Sequence, residues 1–63
     1  MKVSELRRLL EKNGWFIHRH GASHDMYRHI ERKTEPSIPV SRHMTEELKK
    51  GTENSILKKA GLK

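Results

Sequence analysis

A histidine that follows a tight turn is the group in this chain best placed to do chemistry. Gly21-Ala22-Ser23-His24 joins three small residues to an imidazole. Strand-forming residues precede it (Trp15-Phe16-Ile17) and a mixed strand-like run follows it, from Asp25 to Ile30. Arg19, Arg28, Arg32 and Lys33 are close by in sequence. An imidazole has an ordinary pKa of about 6.5, so both of its protonation states are within reach at neutral pH. Set among cations, such a group suits proton transfer at a phosphodiester. The ribose 2′-hydroxyl attacks the adjacent phosphate, the imidazole moves a proton, and fixed cations stabilise the charge that builds on phosphorus. General acid–base help of this kind is worth roughly 10²–10⁴ in rate, and the reaction needs no cofactor. The plainer reading is an exposed hairpin whose His24 has no role, since single histidines are common on surfaces.

Other chemistries fit less well. Five histidines in 63 residues invite a search for metal ligands. His18-x-His20 would place two imidazoles on one strand face, but a zinc site needs a third ligand and the surrounding charge repels a dication. No metal is expected. There is no Gly-x-x-x-x-Gly-Lys loop, which excludes nucleotide binding of the P-loop kind. Ser23 beside His24 is not a triad, because no acid orients the ring and no oxyanion site is visible. Arg19 and Arg28 bracket the turn and are candidate phosphate ligands; His43 is either a further phosphate-binding or catalytic group or a connector residue. Trp15 and Tyr27 read as core aromatics, and His18 and His29 as ordinary, partly exposed residues.

The elements that must position these groups are legible. Val3, Leu6, Leu9 and Leu10 form one apolar face of a helix over residues 4–13, with Arg7, Arg8, Glu11 and Lys12 opposite. Ser4 is its expected N-cap and Asn13-Gly14 its stop. Trp15–Arg19 reads as a strand, His20–Ser23 as a turn, and His24–Ile30 as a second strand with Asp25, Tyr27 and His29 on one face. Glu31–Pro36 is a charged turn. Ser37–Val40 is a third strand, and Pro39 assigns it to an edge because proline cannot donate to a ladder. Thr45 is expected to cap a short helical turn ended by Gly51, and Thr52 to cap the last helix, which ends before Gly61. The order is α-β-β-β-α: a small α+β sandwich with a three-stranded antiparallel sheet.

Composition narrows the partners. A 63-residue chain buries only about 60% of its unfolded surface, and with no cysteine it has no disulfide to compensate. A bound partner is the remaining common source of stability. The net charge of +6 favours an anionic one. No apolar run approaches the ~20 residues that span a bilayer, no helix joins a long apolar face to a basic one, and the N-terminus lacks signal-peptide character. A cytoplasmic location without membrane contact is the expectation.

Two groups of residues carry a family resemblance. Gly14-Trp15, Arg19, Gly21-x-Ser23-His24 and Tyr27 resemble the HicA toxins of type II toxin–antitoxin systems. So do Arg42-His43, Glu47-Leu48, Lys50-Gly51-Thr52 and Ser55-Ile56-Leu57-Lys58-x-Ala60-Gly61-Leu62. The resemblance covers nearly the whole chain and implies one toxin domain over residues 1–63, with a fold like that of double-stranded-RNA-binding domains. It implies metal-independent cleavage of mRNA with His24 as the single catalytic histidine, acting as general acid or base. Arg19, Ser23, Arg28, Arg42 and His43 then become expected contacts to RNA or phosphate. It also implies a cognate acidic HicB-type antitoxin that covers the catalytic face and makes any DNA contact of the complex. The alternatives are a non-catalytic RNA-binding module, which would read duplex shape over about 16 base pairs, and a purely structural partner of an acidic protein.

Overall fold

The computed structural model describes residues 1–32 and 36–63. Lys33, and with it the Lys33-Thr34-Glu35 part of the expected turn, lies outside the described residues. The element order is α1 (Val3–Lys12), β1 (Trp15–His20), β2 (His24–His29), β3 (Ile38–Ser41) and α2 (Lys50–Lys59). The three strands form one antiparallel sheet in the order β1-β2-β3. This is the expected α+β arrangement, with Pro39 exposed on an edge strand, opposite Met26.

Helix α1 buries Val3, Leu6 and Leu10 against Trp15, Tyr27, Ile38 and Val40, and Ile56 and Ala60 of the α2 region complete the core. Arg7 departs from the expected polar face. It is only 7% exposed, because it sits four residues after Val3 and three before Leu10, within the apolar stripe itself. The start of α1 is also different. Lys2, not Ser4, is the N-cap. The first amides of a helix lack intrahelical acceptors, and here a distant segment supplies them: Val3 N–H donates to Glu46 O (2.9 Å) and Ser4 N–H to Met44 O (3.0 Å). Leu48 N–H donates to Met1 O in return, around an antiparallel bridge between Lys2 and Glu47.

That bridge explains the second correction. The expected helix from Thr45 does not form: Met44 and Thr45 make a single turn closed by Glu46 N–H donating to His43 O at 3.0 Å, and Glu47 then pairs with the N-terminus instead of continuing a helix. Gly51 and Thr52 consequently fall inside the first turn of α2, whose N-cap is Lys49.

Gly14 ends α1 with φ +92°. A Cβ there would also sit 2.8 Å from His29 Nε2. His29 is therefore not the partly exposed residue expected. It is buried, edge-on to Trp15 with ring centroids 5.3 Å apart. Its Nε2 is 2.8 Å from Asn13 O and its Nδ1 accepts from Glu31 N–H at 3.0 Å. Those partners define a neutral ring protonated at Nε2. Tyr27 is a core residue as expected; burial, with its bond to Glu11 helping, pushes its phenol up to about 12.

Candidate functional site

Pairing decides which side chains share a face. His20 opposes Asp25, Arg19 opposes Met26 and Ile17 opposes Tyr27, so a bulge lies between Ile17 and Arg19. The bulge breaks the expected alternation. His18 and His20 no longer form a same-face pair. His18 Nε2 lies 2.7 Å from Ser37 Oγ, and partial burial, with Arg28 and Arg19 nearby, lowers its pKa. His20 turns to the helix-covered side, where its Nδ1 is 2.7 Å from Asp25 Oδ1. Among the described residues no three metal-ligating side chains gather.

Asp25 is the hub of the turn. It is 4% exposed, a position a carboxylate occupies only when its charge is matched. Arg42 Nε donates to Oδ1 at 2.8 Å and Arg7 Nη2 to Oδ2 at 2.8 Å. Bonds from Arg42, His20 and Arg7, in that order of weight, hold its carboxyl well below the usual carboxylate range. Arg7 also reaches Ser41 O at 3.0 Å. Arg42 extends to the carbonyls of Gly21 and Ala22. Its guanidinium thus ties the end of β3 to the turn and spends donors on the protein that were expected to meet phosphate.

The turn itself is closed by Gly21 N–H donating to His24 O at 2.8 Å. A Cβ on Gly21 would stand 2.8 Å from that same carbonyl oxygen, so only glycine permits the approach. His24 begins β2, exposed, opposite Ser41. Its Nδ1 lies 2.9 Å from Ser23 Oγ. With the hydrogen on Nδ1 and donated to Ser23, Nε2 keeps its lone pair. Ser23 therefore orients the ring.

The remaining expected ligands are spread along the sheet. Arg19 and Arg28 share the uncovered face with His24 and Met26, and among the described residues neither makes a hydrogen bond or ion pair. Arg28 is four residues from His24, roughly 13 Å along the strand, too far to share one phosphate with it. Exposed Phe16 opposes Arg28 on this face. His43 is an exposed connector residue: its N–H donates to Ser41 Oγ at 3.1 Å, and among the described residues nothing bonds its ring to His24.

Sequence reading missed the groove beside His24. A cavity of about 360 Å³ runs between β3 and α2, lined by His24, Pro39, Ser41, Glu47, Lys49 and Thr52. A neighbouring one of about 390 Å³ adds Ser55 and Lys59 to His24 and Pro39. Lys49 and Lys59 stand at least 25 positions from His24, and only the fold brings them beside it. The same holds for the His20–Asp25 pair, whose one signal in sequence was Asp25 on the face of Tyr27.

Comparison with curated proteins and with solved structures finds no match. The family model of the HicA toxin of bacterial toxin–antitoxin systems matches residues 3–62. That span takes in both helices, the whole sheet, the His24 turn and the groove beside it, and the chain belongs to the HicA toxin family.

Proposed function

We propose that this toxin is an endoribonuclease that cleaves mRNA without a metal ion, using His24 as a general acid or base, and that a cognate acidic antitoxin of the HicB type neutralises it. The observation that carries the reading is His24 itself. Its Nδ1 lies beside Ser23 Oγ, its side chain is exposed, and it borders two neighbouring cavities, one lined also by Lys49 and Glu47 and the other by Lys59. In the reaction the ribose 2′-oxygen forms a bond to phosphorus and the 5′-oxygen leaves. The products are a 2′,3′-cyclic phosphate and a 5′-hydroxyl end. Arg19 and Arg28 line the path of the strand across the open sheet face, with Phe16 offering a ring on which a base can stack. Arg42 serves by fixing the turn. The excess of positive charge supports an acidic inhibitor as well as an RNA substrate.

Purified protein is expected to cleave RNA in the presence of EDTA and leave 5′-hydroxyl ends. His24→Ala should reduce the rate by about 10²–10⁴ with an unchanged melting curve, and should abolish growth inhibition. A fully active His24→Ala protein would refute the assignment. RNA binding without turnover, indifferent to His24→Ala, would instead favour a binding module.

A further inference from the structure

The ribonuclease reading accounts for His24 and leaves the cavity beside it without an occupant. That cavity, about 360 Å³ between β3 and α2, is at the small end of the range for ligand pockets, about 300–1,000 Å³. Its size suits one unstacked base and not a duplex, and unstacked bases are what sequence-reading RNA sites take. His24 is one of its walls. An RNA strand whose scissile phosphate meets that imidazole therefore has a neighbouring nucleotide at the mouth of the cavity.

The other walls match the parts of a base, which is apolar on its faces and polar at its rim. Pro39 on the edge strand, Leu48 just before α2 and Ile56 within it bring apolar surface. Glu46 brings a carboxylate. Its backbone is already committed, the carbonyl accepting from Val3 N–H at 2.9 Å and the N–H donating to His43 O at 3.0 Å. Those bonds fix the residue, while among the described residues its exposed side chain makes no hydrogen bond or ion pair. Glu47, the other acid of this cavity, meets the Met1 amino group. An unpaired acid beside the candidate catalytic histidine of a chain with charge +6 opposes the binding of phosphate. Toward a base it has a use. A carboxylate only accepts hydrogen bonds, so it selects a rim that donates, such as the exocyclic amine of cytosine, adenine or guanine. Uracil has a carbonyl oxygen where cytosine has that amine.

From this shared cavity we infer that the groove between β3 and α2 is a base subsite next to the scissile phosphate. Glu46 is its specificity-determining residue, and it favours a base with an exocyclic amine over uracil. The inference rests on the ribonuclease reading, because His24 marks the cleaved bond. Lys49, on the same cavity, offsets the carboxylate for the approaching backbone.

The test uses DNA oligonucleotides with a single ribonucleotide, which confine cleavage to one bond. The base on each side of that bond is varied in two pairs, cytosine against uracil and guanine against hypoxanthine. Each pair changes the amine and nearly keeps the shape. At one of the two positions the amine-bearing base should be cleaved with a kcat/KM at least about tenfold higher. Glu46→Ala keeps the backbone bonds of residue 46; it should bring that ratio close to one with an unchanged melting curve. Equal rates within both pairs at both positions, or a preference that survives Glu46→Ala, would overturn the assignment. Binding is read apart from turnover through the methyl resonances of Leu48 and Ile56. Titration with 3′-CMP should move both, and 3′-UMP should bind more weakly. Methyls that 3′-CMP leaves unmoved would refute the subsite. If no oligonucleotide is cleaved in a His24-dependent way while 3′-CMP still moves those methyls, the ribonuclease reading fails and the base subsite stands.

Discussion

At the scale of single residues, Asp25 is the side chain on which the turn depends. It is a buried acid with three donors from three elements: Arg7 on α1, His20 at the end of β1, and Arg42 just after β3. Its carboxyl is held below the ordinary range, so the folded state binds fewer protons there than the unfolded chain. The stabilisation is complete above the unfolded carboxyl pKa of about 3.9. It is lost as pH falls below that value toward the folded one. Urea midpoints measured against pH should therefore drop on the acid side, and Asp25→Asn should flatten that limb. The variant should also be less stable at neutral pH, because Arg7 would keep a buried charge without its partner. An unchanged acid limb in Asp25→Asn would show that other carboxylates set the acid sensitivity.

At the scale of elements, the junction between α1 and β1 is the clearest case of one residue serving two neighbours. Gly14 turns the chain with a positive φ, and its bare Cα leaves room for His29, which packs on Trp15. The neighbouring backbone is fastened by Ile30 N–H donating to Gly14 O at 2.9 Å. Gly14→Ala should cost about 1–2 kcal/mol for the left-handed backbone alone, and more for the displaced ring. Thermal or urea unfolding would measure it; a loss below about 0.5 kcal/mol would mean that the junction relaxes freely. At the N-terminus, pairing of Lys2 with Glu47 supplies backbone acceptors to the first amides of α1 and holds residues 46–48 out of a helix. One contact between distant segments thereby sets the start of both helices. This is why the caps at Ser4, Thr45 and Thr52, each locally reasonable, are not used.

At the scale of the molecule, the charge of +6 has a measurable consequence. Binding of single-stranded RNA releases about 0.7 counterions per phosphate contacted, so three contacts would give a slope of about −2 in log affinity against log salt. If Lys49 and Lys59 face the strand beside His24, replacing either with alanine should make the slope shallower by about 0.7. Titrations with a non-cleavable RNA would read this directly. A slope unmoved by Lys49→Ala would take that residue off the RNA path. Among the described residues no helix is long and apolar enough to cross a membrane.

The elements were legible in the sequence because they follow from local chemistry. The apolar stripe of Val3, Leu6 and Leu10, the glycine after Asn13, the alternation of Asp25, Tyr27 and His29, and the proline in the last strand each act within a few residues. The small-residue turn that presents His24 was legible for the same reason. Arg7 was misread because its charge hid its place in the stripe. His20 was misread because a bulge shifts side chains from one face to the other and leaves no mark in residue type. By itself, then, the sequence determined the order of elements, the basic charge and the exposed histidine. Tertiary structure alone decided which cations meet Asp25, how His20 is held and what lines the groove at His24, since those contacts either join positions distant along the chain or, as for His20, depend on strand register.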